Sequence, residues 1–293
     1  MKLITTEVNG GPSSGFLLNN LSEAVLFEQF GYEHSDLTAF IDLGMDQLLK
    51  LKALAERDSS IKRIPISELK LLSPIVHPIC DIICLGLNYH KHAQEAEAYR
   101  KDVFDKGDSA IYFSKHADRI SSCCDDIPLN ENLVGSLDYE VELAVVIGKT
   151  CKNVKAEEVS KYIFGYTVVN DISARDIQSR HKQWFLGKSI DGYLPMGPCI
   201  VTSDEITYPP KLKIKSYVNG ELRQDSTTDM MIHPIGEVIS ELSSYITLRP
   251  GTIIATGTPS GVGMGMNPPQ FLKKGDEVVC EIQEIGILRN TVR

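Results

Sequence analysis

Leu137 to Gly148 reads Leu-Asp-Tyr-Glu-Val-Glu-Leu-Ala-Val-Val-Ile-Gly, and this stretch decides the fold. Its β-branched and apolar residues predict a strand. Side chains two apart share a strand face, so Asp138, Glu140 and Glu142 line one side, with Leu137, Tyr139, Val141 and Leu143 on the other. The run Ala144-Val145-Val146-Ile147 that follows has no polar face and reads as buried on both sides. Three acids on one strand face are ordinarily solvated. The alternative is a hard-cation site, because like charges repel, buried unpaired charges are costly, and Mg²⁺ or Mn²⁺ prefers oxygen ligands.

The rest of the chain is consistently strand-rich. Asp81–Leu87, Ala110–Lys115, Tyr162–Ile172, Pro198–Ser203, Leu212–Gly220, Thr252–Pro259 and Glu277–Val292 are further apolar runs between turn signals. Asn219-Gly220 predicts a hairpin turn. Helical text is sparse: Leu37, Phe40, Ile41, Leu48, Leu51 and Leu54 behind a Ser35 N-cap, a segment opening at Ala156-Glu157-Glu158, and Ile235 to Tyr245. Strands and helices do not alternate, which excludes a Rossmann fold or TIM barrel. The expected class is α+β and β-rich. Prolines at 65, 74 and 78 suggest a small N-terminal α/β domain over residues 1–73 and a larger domain over 74–293.

Composition limits the function. The chain has 293 residues, 42% hydrophobic and 24% charged, with a formal net charge of -9. An acidic chain with no basic stripe argues against nucleic acid binding, and no apolar run has the length of a bilayer span. The seven cysteines, at 80, 84, 123, 124, 151, 199 and 280, include no CxxC spacing. They read as reduced thiols of a cytoplasmic protein; the adjacent Cys123-Cys124 could be redox-active.

Four further segments carry candidate chemistry. Asp171 ends the strand Tyr166–Val169 and offers a third carboxylate or an Asx turn. In Gly86-Leu-Asn-Tyr-His-Lys-His-Ala-Gln-Glu95, His92 and Glu95 are three apart, so one helical turn would join them as an oriented general base; His90 and His92 could instead bind Zn²⁺. Lys188 stands in the glycine-rich Phe185–Pro198 segment, where a lysine could stabilise an oxyanion or remain exposed. Ala255–Pro269 is a glycine-rich loop able to cradle an anion with backbone N–H groups.

Taken together and in order, GLNYHKHAQE, DYEVELAVVIG, GYTVVNDISARDIQ, GKSIDGYLPMGP and GTPSGVGMG resemble the fumarylacetoacetate hydrolase family over roughly residues 73 to 293. The resemblance implies a mixed β-roll with few helices, the active site in its mouth, and a homodimer. It implies Glu140, Glu142 and Asp171 as ligands of Mg²⁺ or Mn²⁺, with Ca²⁺ a further candidate, and Asp138 outside that set. It implies Lys188 beside the metal, His92 and Glu95 as a catalytic dyad, and Arg175, Gln178 and Thr258 as substrate contacts. The substrate would be a small 2-oxo acid, with selectivity in a lid over roughly residues 96–110, where Arg100, Lys101 and Lys106 could receive a distal carboxylate or stand solvated. The expected activity is hydrolysis of a C–C bond in an acylpyruvate-type 2,4-dioxo acid by water activated on His92 and Glu95. The alternatives on the same site are a 2-oxo acid decarboxylase, isomerase or hydratase, a ureido-acid lyase, and a catalytically silent metal-binding protein.

Overall fold

A computed structural model describes residues 1–18, 21–99 and 109–293. Arg100, Lys101 and Lys106 lie outside the described residues. The chain opens with β1 (Lys2–Val8), β2 (Gly11–Leu18), β3 (Glu23–Leu26), α1 (Thr38–Ile41), α2 (Gly44–Arg57), β4 (Ile64–Pro65) and β5 (Leu71–Leu72). Then come β6 (Ile82–Gly86), α3 (His90–Tyr99), β7 (Ile111–Lys115), β8 (Leu137–Asp138) and β9 (Val141–Ile147). β10 (Ile163–Asn170), β11 (Ser173–Ala174), α4 (Arg175–Arg180), α5 (Phe185–Lys188) and β12 (Met196–Thr202) follow. The chain ends with β13 (Lys213–Val218), β14 (Glu221–Thr227), α6 (Ile235–Tyr245), β15 (Ile253–Ala255), β16 (Glu277–Ile282) and β17 (Gly286–Thr291). This is the β-rich α+β architecture expected.

One large sheet runs in the order β4-β3-β2-β1-β12-β10-β9-β15-β6-β7, with β5 also on β1. A second, antiparallel sheet has the order β14-β13-β16-β17. β9 lies inside the large sheet, with Val145 opposite Tyr166 of β10 and Ile254 of β15. It also packs against β13 and β16 of the second sheet. Its parity sorts two cores. Val141, Leu143, Val145 and Ile147 join Ile214, Cys280, Ile282 and Leu288 between the sheets. Ala144 and Val146 join Phe16, Phe27, Phe40, Leu48 and Phe164 on the opposite side. That is why the run is apolar on both faces. Each fully buried Val or Ile contributes roughly 1.5–3 kcal/mol.

The N-terminal strands continue the same sheet, since β1 pairs with β12 at Leu3 and Ile200. Residues 37–57 break into two helices rather than one, with Gly44, at φ 73°, opening the second. Ser35 is not the cap: its carbonyl accepts from Ser14 Oγ, and Asp36 Oδ1 receives the Thr38 N–H at 2.9 Å. Leu54, expected inside, is exposed, because the buried face of α2 runs through Leu48, Leu51 and Ala55. The Ala156 segment is a 3-10 helix over Ala156–Tyr162, whereas Ile235–Tyr245 is α-helical as expected. Asn219 and Gly220 both have positive φ, at 51° and 80°, as a two-residue hairpin turn requires. No helix among the described residues is long and apolar enough to cross a membrane.

Candidate active site

The carboxylate row is not solvated. Asp138, Glu140, Glu142 and Asp171 are 0, 4, 1 and 0% exposed. Backbone geometry sets the start of β9 and the end of β10 together: the Asp171 N–H donates to Glu140 O at 2.9 Å, and Asn170 Oδ1 receives the Glu140 N–H at 3.0 Å. One carboxylate oxygen from each of Glu140, Glu142 and Asp171 falls within 4.8 Å of the other two. Lys188, from the short helix α5, donates to Glu140 Oε2 at 2.8 Å and Asp171 Oδ2 at 2.6 Å. Arg175, at the start of α4, reaches Glu140 Oε1 with Nη2 at 2.6 Å and Asp138 Oδ2 with Nε at 2.9 Å. Its Nη1 donates to Gln178 Oε1 at 3.3 Å.

Electrostatics separate the acids. Burial opposes the charge on Glu140, yet Lys188 and Arg175 outweigh it and hold the carboxyl below its usual range. Glu142 goes the other way: burial, then repulsion from Asp171 and Glu140, pushes it well above. Among the described residues no cation pairs with Glu142, which accepts only the Gly257 N–H, at 2.8 Å. Burial likewise opposes the Lys188 ammonium, but Asp171 and Glu140 keep it above the ordinary lysine range. Three buried, converging carboxylates with one left uncompensated are a donor set that fits a hard divalent cation.

Above this floor, α3 brings His92 and Glu95 together, with Nδ1 3.4 Å from Oε2. Glu95 Oε1 also accepts the Gly261 N–H at 2.9 Å, tying α3 to the glycine-rich loop. A Cβ on Gly265 would lie 2.7 Å from Glu95 Cδ, so a larger residue there would make the carboxylate shift. His92 is buried and His90 exposed, and among the described residues Glu140, Glu142 and Asp171 form the one group able to hold a metal. The His90–His92 zinc site therefore does not assemble: the two histidines leave α3 in different directions.

A pocket brings most of these groups together. His92, Glu140, Glu142, Arg175, Gln178, Lys188 and Thr258 supply its polar lining, and Leu85, Leu87, Ala96, Phe113, Trp184 and Met264 its apolar walls. Thr258 Oγ1 donates to Val141 O at 2.9 Å and accepts from Gln224 Nε2 at 2.7 Å. Phe113 lies edge-on to Trp184, centroids 5.1 Å apart, with Lys188 Nζ 5.3 Å from the Phe113 centroid.

Sequence reasoning passed over two residues. Asp138 collects the Arg175 side chain and the N–H groups of Tyr139, Gly263 and Met264, at 2.7 to 3.0 Å. Lys115, the last residue of β7, is buried and donates to Asp171 Oδ1 at 2.5 Å and Ile172 O at 2.8 Å. Burial lowers its pKa even with Asp171 adjacent. A lysine closing an apolar strand was the visible signal for Lys115. Asp138 shared the carboxylate row, which was a signal that it too is buried.

The fumarylacetoacetate (FAA) hydrolase C-terminal family model matches residues 81–293. The oxaloacetate tautomerase YisK of Bacillus subtilis (strain 168) is 46% identical over 227 residues, covering 78% of this chain and 74% of that protein. The mitochondrial oxaloacetate tautomerase Fahd2a of Rattus norvegicus is 43% identical over 258 residues, covering 87% and 79%. Among solved structures, a fumarylacetoacetate hydrolase from Exiguobacterium antarcticum superposes with a TM-score of 0.84 at 33% identity, covering 100% and 99% of the two chains. A maleylpyruvate hydrolase from Sphingobium sp. SYK-6, in complex with manganese (II) and pyruvate, gives 0.78 at 27% identity, covering 100% and 98%.

The two curated relatives overturn the expected C–C hydrolase: both carry the name of a tautomerase, an isomerase activity, and so agree with the alternative reading. The expectation failed for a chemical reason: acids that hold a metal and a base that moves a proton serve enolisation and hydrolysis alike. With the family model matching residues 81–293, this chain belongs to the fumarylacetoacetate hydrolase family.

Proposed function

We propose that the chain is a divalent-metal-dependent oxaloacetate tautomerase, interconverting the keto and enol forms of a four-carbon 2-oxo diacid. The observation that carries this reading is His92, engaged by Glu95, in the same pocket as Glu140, Glu142 and a lysine that stays charged, with Asp171 completing the carboxylate triad beneath it. The names of the two relatives point the same way. Glu140, Glu142 and Asp171 would hold Mg²⁺ or Mn²⁺. Such an ion, when bound, withdraws electron density from a 2-oxo group and lowers the free energy of its enolate.

Tautomerisation moves one proton from C3 to the oxygen on C2, so the protein must supply a base, a route for the proton and a charged environment. His92 is the base. Glu95 engages its Nδ1, which leaves Nε2 to take the C3 proton and return it to oxygen. Lys188 acts as a fixed positive charge and not as a base, because Asp171 and Glu140 hold its proton. Arg175 adds a second buried cation facing the substrate carboxylates. The apolar walls limit water around the enolate. We take residues 1–73 as a small N-terminal domain and 74–293 as the catalytic one. A pair of chains would be the working unit, for which exposed Leu133, Met230 and Tyr245 are available as contacts.

The test follows the ultraviolet absorbance of enol-oxaloacetate diluted into buffer. Metal-stripped protein should leave its decay at the buffer rate, and added Mn²⁺ should accelerate it. His92→Ala should lower that rate by about 10²–10⁴. Glu95→Gln should lower it less, with the response to Mn²⁺ retained. Metal-loaded protein that leaves the decay at the buffer rate would remove the tautomerase reading.

A further inference from the structure

Cys123 and Cys124 line no part of the carboxylate pocket. Neighbouring side chains in extended backbone point to opposite faces, so adjacent cysteines do not ordinarily share a ligand. Here the chain turns. The Asp125 N–H donates to Ser122 O at 3.3 Å, which puts the two cysteines at the centre of a four-residue turn. Their Sγ atoms are 3.8 Å apart.

The turn is fixed from several directions. The Ser122 N–H donates to Asp125 Oδ2 at 2.8 Å and the Cys124 N–H to Ser122 Oγ at 3.1 Å. Asn290 Nδ2, buried on β17, donates to the carbonyls of Ser122 and Asp125, each at 2.8 Å. The spacing of the thiols is thus set before any ligand arrives, which lowers the ordering cost of binding. It suits one thiophilic centre: two sulfurs each about 2.3 Å from it are about 3.5 Å apart at the roughly 100° angle of a pyramidal centre and about 3.8 Å apart at a tetrahedral one, so a small thiol rotation spans the range. Cys124 is exposed and Cys123 half-buried, so the pair is reachable. Burial, with Cys124 beside it, pushes the Cys123 thiol up to about 12. Cys123 therefore carries its proton at neutral pH, which favours a ligand that can accept it.

We propose that the Cys123–Cys124 turn is a chelating site for trivalent organoarsenicals of the type R–As=O. Two As–S bonds form and the As=O bond breaks. Both thiol protons leave with the oxygen as water. Arsenic stays trivalent and sulfur is not oxidised.

The experiment titrates the full-length native protein with phenylarsine oxide and reads intact mass. One adduct per chain is expected, stable to excess 2-mercaptoethanol and released by the vicinal dithiol 2,3-dimercaptopropanol. Cys123→Ser and Cys124→Ser should each raise the half-saturating arsenical concentration by about 100-fold or more, since chelation is lost. Cys80→Ser, at the other exposed cysteine, should leave it unchanged. An adduct formed at wild-type concentrations in Cys124→Ser, or stripped from wild type by 2-mercaptoethanol, overturns the proposal.

Discussion

Replacing Asp138 by Asn removes one charge and almost no volume, and so isolates what the buried carboxylate does. Its Oδ2 receives Arg175 Nε at 2.9 Å and the Met264 N–H at 3.0 Å; its Oδ1 receives the N–H groups of Gly263 and Tyr139 at 2.7 and 2.9 Å. A carboxamide has one oxygen, so two of the four donors lose their acceptor and face an NH₂ group instead. Stranding two buried donors at about 1–3 kcal/mol each gives about 2–6 kcal/mol. Removing one partner of a buried ion pair costs about 3–5 kcal/mol. Arg175 keeps Glu140 at 2.6 Å, which places the expected loss toward the lower end, ~3 kcal/mol. With a urea m-value of about 3 kcal/mol/M, the unfolding midpoint should fall by about 1 M. Equilibrium urea unfolding of the two proteins, followed by circular dichroism, measures the shift. A midpoint within about 0.2 M of wild type would mean that Asp138 does not hold these four donors, and the account of how Arg175 and the Gly263–Met264 loop are positioned would fall with it.

Metal should stabilise the fold through the triad. At a free Mn²⁺ concentration about 100-fold above Kd the gain is about 2.7 kcal/mol, read as a rise in Tm that EDTA reverses. Glu142→Gln should abolish that rise and leave the metal-free Tm equal or higher, because it neutralises the acid that burial and its two neighbours already disfavour as an anion. Gly86→Ala should disturb the pocket wall: a Cβ there would lie 2.4 Å from Trp184 Cζ3, and overpacking of this kind costs about 1–3 kcal/mol. Trp184 is the chain's single tryptophan, so its fluorescence reads the displacement directly; an unchanged emission spectrum and Tm would count against the packing described.

What could be read from the sequence was local. The parity of residues 137–148 placed Glu140 and Glu142 on one face, and the apolar run behind them became the centre of the large sheet. The Asn219-Gly220 hairpin and the helix from Ile235 to Tyr245 depend on neighbouring residues alone, and both formed where the text put them. The role of Asp138 was not legible, because its partners lie 37 positions away at Arg175 and 125 at Gly263. Lys115 meets Asp171 across 56 residues, and no periodicity carries that pairing. The break at Gly44 escaped because the apolar spacing on either side of it remains helical. The resemblance supplied what patterns could not, the grouping of distant acids, and it also misdirected the reaction, since the same side chains serve more than one chemistry.

The buried charges also constrain how such a site could work. Asp138, Glu140, Glu142 and Asp171 stand against Lys115, Lys188 and Arg175, four negative groups against three positive ones if all are ionised. With Glu142 protonated, as burial and its neighbours favour, the count is three against three, and neither balance attracts a dianion such as oxaloacetate. Two positive charges bound at the triad make the site net positive, and in a poorly solvated pocket that charge acts over the few ångströms that separate ligand from wall. Lys188 and Arg175 cannot make this change alone, because each is already shared with a carboxylate. Under the proposed function, metal therefore precedes substrate, and the row of acids that looked like a solvated strand face is what makes an anionic substrate's affinity depend on a cation.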